Sequence, residues 1–325
     1  MITQSDFPAL TDDLEEIFNE SAEDAIADMQ GLKIFSVKDT NRRSYEYQMI
    51  HGVEGIEEVT PGQDLPSINS NEGDSIIWTQ RYFGGLFDVT KEMRKFDLFG
   101  KIEQLPKTLV DDAFSKIDQS FADVLLNGWS SSYTDVFGGT VTSVGPNAKT
   151  LFNSGHDYNV GSETYTNIIT DGTNTNPAIS RAAIIATRAL RRGHKGADGI
   201  IRPVKLDTLI VSQDNEDIAE RIVYSNLLQG SMDNDINNLK GKIKSIIVWE
   251  RLDTSGQGTD TDAYWFMTES KKVGESLQAK FAERPTLDAP DQAYENKNWS
   301  YSCDFFYTVG IGHPAYIAGA KGDNS

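Results

Sequence analysis

Two strand-forming stretches of this chain are separated by a segment with no evident local core. Ser44–Ile50 (SYEYQMI) alternates polar and apolar residues, and Ser75–Val89 (SIIWTQRYFGGLFDV) is a longer strand candidate. Between them runs HGVEGIEEVTPGQDLPSINSNEGD, rich in Gly, Pro, Asn and acids. Structureless loops beyond ~15 residues are uncommon inside a compact domain, and ordinary hairpin loops are far shorter. Two readings are open: a solvated surface loop, or an extended arm that finds its burial on another molecule.

The flanking segments are helical. Residues 8–29 carry Leu14, Ile17, Phe18, Ala22, Ala25, Ile26 and Met29 at three- and four-residue spacing, which makes one apolar face. Thr11 can cap this helix, Asp12 and Asp13 complement its positive end, and Gly31 is a stop. Residues 91–128 hold the longest helical pattern, with Phe99, Ile102, Leu105, Leu109, Ala113, Ile117, Phe121 and Val124 as a continuous stripe. Asp97, Lys101, Asp111, Lys116, Asp118 and Asp123 fall largely off it. Pro106 lacks an N–H and either kinks the helix or marks the start of its main segment. At 1.5 Å per residue such a helix approaches ~45 Å, long for an isolated globular domain.

Residues 130–175 are rich in Gly, Ser, Thr and Asn and read as turns with short strands. Asn176-Pro177 then reads as an N-cap and first helical residue, opening a helix with Ile179, Ala183, Ala186 and Leu190 on one face and a stop near Gly193. A buried-type strand is expected at 206–212, a helix at 214–228 with Ile218, Ala219, Ile222 and Val223 inward, and strands at 242–250, 263–268 and 278–283. In 298–309, Trp299, Tyr301, Cys303, Phe305, Tyr307 and Val309 share one face at period two. Both element types in mixed order, without a βαβαβ rhythm, indicate an α+β fold.

Charge and cysteine content narrow the function. A net charge of -19 is the opposite of what a phosphate-gripping protein carries, since that affinity comes from Lys and Arg. The acids either serve solubility or form a surface to which nucleic acid does not adhere. Cys303 is the only cysteine, so an internal disulfide or thiolate metal cage is excluded and a reducing cytoplasm is expected. The N-terminus lacks the pattern of a signal peptide, and no apolar run reaches the ~18 residues of a membrane helix.

The inventory of chemical motifs is nearly empty. His51, His156, His194 and His313 are scattered without metal-ligand spacing. Ser154-Gly155-His156-Asp157 contains triad residue types, but neighbours in a tight turn rarely converge as a triad must, and a turn is expected. Gly241-Lys242 lacks the rest of a P-loop. Asp233–Asn238 lacks the glycine and terminal Glu of a calcium loop. Cys303 reads as a core thiol. Arg188, Arg191, Arg192, His194 and Lys195 lie at the end of a helix, either complementing its dipole or meeting an acidic neighbour. No catalytic residue, cofactor site or metal site is assigned.

Four strings in order, DSIIWTQRYFGGLFDVTKEM, LFNSGHDYNVGSETYTN, IIRPVKLDTLIVSQDNEDIAERI and NWSYSCDFFYTVGIGHPAYIAG, resemble the major capsid proteins of tailed bacteriophages, most nearly the Mu-like head subunits. The resemblance spans nearly the whole chain and implies the tailed-phage capsid fold. That fold comprises an N-terminal arm (1–42), an extended two-stranded loop (43–90), a peripheral domain with a spine helix (91–174), an axial domain (175–285), and a terminal strand and tail of the peripheral domain (286–325). It further implies self-assembly into hexamers and pentamers, an icosahedral shell enclosing double-stranded DNA without sequence-specific binding, and an extended loop lying over a neighbouring subunit. Expected partners are a scaffold protein or maturation protease, a portal protein and decoration proteins, with no membrane. With Met1 a few residues before the first helix, any scaffold is expected to be a separate protein. The expected location is the virion, after synthesis in the bacterial cytoplasm. An encapsulin-like protein compartment shares the fold and is the alternative. A soluble hydrolase or lectin-like module, or a tail or baseplate protein, are the further readings.

Overall fold

The computed structural model describes residues 7–54, 58–64, 69–96, 100–158, 164–196, 199–227, 236–253, 263–288, 291–292 and 298–322. The fold is α+β, organised on two sheets. The first has the spatial order Ser36–Asp39, Leu277–Leu287, Trp299–Ile311, with Arg81–Val89 and Asp291–Gln292 also paired to Trp299–Ile311. Only the Ser36–Asp39 pairing is parallel. The long terminal strand is its centre, and its expected inward set, Trp299, Tyr301, Cys303, Phe305 and Tyr307, is buried. Val309, expected with them, is half-buried.

The spine helix Lys101–Leu126 packs on this sheet, with the N-terminal helix Phe7–Asp28 alongside it. Ile117, Phe121, Val124, Phe305 and Tyr307 share one core with Phe18 and Phe35. The expected continuous helix from residue 91 is divided: Lys91–Phe96 forms a short helix, and Gly100, in the left-handed region at φ 63°, precedes Lys101. Pro106 lies inside the second helix. Phe99 falls outside the described residues. Asp118 and Asp123, off the apolar stripe, are buried because the last turns are covered on nearly every side. Asp118 accepts from the Gly31 N–H (2.9 Å) and the Trp249 indole N–H (3.0 Å). Burial raises its pKa, against those two hydrogen bonds and Arg251.

The second sheet has the order Ser245–Val248, Thr208–Val211, Trp265–Thr268, Ile317–Ala320. Leu209, Val211, Trp265, Met267, Ala318 and Ala320 face the helices Arg181–Arg192 and Glu216–Tyr224. Ile210, Phe266 and Ile317 face the core of the spine helix. Ser180 caps the first of these helices through Ala183 N–H (3.2 Å), and Asn176 sits at φ 53°, so the helix begins later than Asn176-Pro177 suggested. Leu190 and Ile218, expected inward, are 44% and 41% exposed. Two strands pair across the boundaries drawn from the sequence. Leu277–Leu287 joins the terminal strand, and Ile317–Ala320 joins Trp265–Thr268.

Candidate assembly surfaces

The residues with catalytic side-chain types are absorbed into structural roles. Where a turn was expected at Ser154–Asp157, His156–Asp157 is a short strand paired with Thr164–Tyr165; Ser154 is exposed, Asp157 pairs with Lys149 (2.6 Å), and His156 is buried. His156 Nε2 lies 3.1 Å from Asn167 Oδ1 and 3.3 Å from the Leu151 carbonyl. Burial lowers its pKa to about 4, so the ring is neutral. Gly241-Lys242 is a turn with Gly241 at φ 79°. Residues 233–235 of the acidic loop lie outside the described residues. Its Asn237 is buried and donates to the Ile222 carbonyl (2.7 Å). The Cys303 thiol is pushed up to about 12, chiefly by burial. The side chain of His51 lies outside the described residues. Among the described residues, no group of three or more His, Cys, Asp or Glu is arranged to hold a metal, and no helix is long and apolar enough to cross a membrane.

The basic cluster divides. Arg191 is buried, donates to the Thr166 carbonyl (2.8 Å) and the Ala315 carbonyl, and lies 5.2 Å over the Tyr165 ring. It is an internal brace, a role that neither helix capping nor a subunit contact describes. His194 is buried beside it with Nε2 2.7 Å from the Tyr158 hydroxyl, and burial lowers its pKa to about 3. Arg192 and Lys195 remain exposed.

What the chain does present is surface shaped for contact. Ser44–Glu54 and Asn69–Thr79 form an antiparallel two-stranded hairpin, in register from Ser44↔Thr79 to Glu54↔Asn69 with two irregularities. Its root is fixed to the body by aromatic side chains. Trp78 stacks with Tyr45 and Tyr47 (5.9 and 5.6 Å), and its ring lies where a side chain on Gly310 would otherwise project. The Lys280 ammonium sits 4.5 Å over the Tyr45 ring. This root covers the outward face of the terminal strand, which explains why Lys280 and Thr308 are buried despite their polarity. Nothing in the alternation of 298–309 could reveal that cover, because the second strand comes from elsewhere in the chain. Beyond the root, Glu58 and Thr60–Asp64 are exposed.

On the rest of the same sheet face, Tyr82 and Leu86 are 61% and 68% exposed. Tyr82 packs on Phe306, with ring centroids 4.6 Å apart. Exposed apolar side chains on a well-formed sheet are a mark of contact surfaces. The hairpin and this open sheet face are therefore places where a second molecule would complete the burial.

Comparison with known proteins bears on what that molecule is. A family model described as phage capsid protein matches residues 75–321. Among solved structures, the capsid of the cyanophage P-SCSP1u is 9% identical with a TM-score of 0.54, covering 90% of this chain and 87% of that one. The capsid of an empty GTA particle is 10% identical with a TM-score of 0.51, covering 90% and 89%. The capsid of the native GTA particle is 13% identical with a TM-score of 0.50, again covering 90% and 89%. At these identities the likeness concerns the fold. Among curated proteins, none matches the chain in sequence. Since the matched region is well over half of its length and runs through the strand Ile317–Ala320, this chain belongs to the phage capsid protein family, as a structural protein of the capsid and not an enzyme.

Proposed function

We propose that this protein is the major head subunit of a tailed phage, assembling as hexamers and pentamers into an icosahedral shell around packaged double-stranded DNA. The observation that carries this reading is the hairpin, whose strands pair along 11 residues each while its described side chains find burial only at the root. A paired segment of that length, with Ile77 63% exposed and Glu58 and Thr60–Asp64 exposed beyond the strands, is completed by a neighbouring copy. On this reading the terminal strand and spine helix form a peripheral domain, and the second sheet with its two helices forms an axial domain at the capsomer centre. A scaffold protein or maturation protease, a portal protein and decoration proteins are the further partners, and synthesis takes place in the bacterial cytoplasm. The acidic balance suits a wall from which DNA slides free. Strong, salt-sensitive binding of duplex DNA to the assembled inner wall would contradict that role.

Size-exclusion chromatography with light scattering, followed by electron microscopy of the full chain, tests the reading. Shells, tubes or capsomers of many copies are expected. A chain that stays monomeric with scaffold and crowding agents present overturns it, and particles holding a protein cargo in place of DNA favour the compartment alternative. Deleting residues 54–73 is expected to leave a folded subunit that forms no stable shell. Normal shells from that variant would show that the hairpin has another role.

A further inference from the structure

The two helices on the second sheet carry complementary outer faces. Helix Arg181–Arg192 buries Ala183, Ile184, Thr187 and Arg191 and leaves Ala182, Ile185 and Ala189 on the opposite side, flanked by Arg181, Arg188 and Arg192. Ile185 is 40% exposed, and small alanines beside it allow close approach of another helix. Arg192 is exposed, and Arg181 and Arg188 are half-buried at the border of this face. Helix Glu216–Tyr224 buries Ala219 and Val223 and presents Ile218 and Tyr224, 41% and 48% exposed. Around them stand Asp214, Glu216, Asp217 and Glu220, with Arg221 already paired to Asp217.

The sheet order sets these faces apart. The basic helix lies toward the Ile317–Ala320 edge: Arg191 donates to the Ala315 carbonyl, and Thr187 is tied to Thr170 next to Ile169, whose N–H bonds Gly319 (2.9 Å). The acidic helix lies by the opposite edge strand, Ser245–Val248. A surface and its complement on opposite sides of one unit associate head to tail, and such contacts form rings when the rotation between copies closes.

Resting on the shell reading above, we propose that these faces form one heterologous interface, with helix Arg181–Arg192 of one copy against helix Glu216–Tyr224 of the next. Ile185 and its alanines meet Ile218 and Tyr224, and the arginines face the acids. Charge complementarity selects the head-to-tail partner, because two basic faces or two acidic faces repel.

The test uses the full chain carrying both Ile185→Cys and Ile218→Cys, treated with a short bis-maleimide after assembly; Cys303 is buried and does not compete. A ladder of covalent species rising beyond the dimer is expected, with each single-cysteine variant remaining unlinked. Assembled particles that give no ladder, or dimers from a single-cysteine variant, overturn the interface and leave the shell reading intact. A wild-type chain that never assembles removes both. As an independent arm, Arg181→Glu with Arg192→Glu lowers capsomer yield at low salt by roughly tenfold or more, as does Asp214→Arg with Glu220→Arg. Mixing the two variants restores hexameric capsomers, because they alternate around an even-membered ring with opposite charges at every contact, whereas a five-membered ring keeps a like-charged one; no recovery of hexamers overturns the proposal.

Discussion

Thr208–Val211, Trp265–Thr268 and Ile317–Ala320 are buried at every position, because two helices close one side of their sheet and Phe152 and the spine-helix core close the other. The hairpin strands Ser44–Glu54 and Asn69–Thr79 are nearly three times as long, yet among their described side chains only Met49 and Trp78 are buried. Strand pairing holds both regions, on both edges for Thr208–Val211 and Trp265–Thr268 and on one edge for each hairpin strand. The larger difference is the second layer: helices and the spine-helix core cover both faces of the sheet, whereas the described part of the hairpin meets the body on one face, through Trp78 and Tyr45. Stability in this molecule is therefore concentrated in the four-stranded sheet, and the capacity to associate is concentrated where a layer is missing.

The largest break in that contrast comes from within the sheet. Phe266 is fully buried, stacked on Phe152 at 5.4 Å. Phe266→Ala is expected to destabilise the subunit by about 3–5 kcal/mol in denaturant unfolding. A loss under ~1 kcal/mol would show that this sheet is not the stable element.

Acid comes next. His156 and His194 are held neutral by burial, with pKa values of about 4 and about 3 against an ordinary imidazole value of 6.5. A depressed folded-state pKa contributes stability that is present above 6.5 and lost as pH falls toward 4. For His156 the full effect is about 3 kcal/mol. Asp118 and Asp123, whose pKa values burial raises, act with the opposite sign: their contribution is greatest below 3.8 and is lost as pH rises. Urea midpoints measured from pH 7.5 down to 4.5 are expected to fall, and to fall less in His156→Gln. A profile unaffected by that change would remove His156 as the cause.

Smaller effects are expected at the hairpin. A Cβ on Gly310 would lie 2.0 Å from the Trp78 ring, so Gly310→Ala displaces the root at a cost of about 1–3 kcal/mol. Limited proteolysis should then cut the hairpin faster while hydrogen exchange in Thr208–Val211 stays slow; equal acceleration of both would mean the two regions are one cooperative unit. Smallest of all, removing residues 54–73 should shift subunit stability by no more than ~0.5 kcal/mol. A shift of several kcal/mol would place that segment in the chain's own core.

The sequence by itself determined the elements whose burial follows a single period. The terminal strand's inward aromatic set and the α+β order were readable, because alternation and three- to four-residue spacing record which side of an element meets apolar material. Local chemistry also marked 51–74 as rich in Gly, Pro, Asn and acids, while leaving open whether that segment is a solvated loop or an arm buried on another molecule. Tertiary structure alone decided the buried polar positions. Asp118 is satisfied by Gly31 and Trp249, 87 and 131 residues away in sequence, and Arg191 is satisfied by the Ala315 carbonyl, 124 residues away. Lys280 and Thr308 are buried only because the hairpin root folds over a face that reads as polar. A polar side chain can be buried where hydrogen-bond partners arrive to meet it, and those arrivals are set by the path of the whole chain, which no local period records.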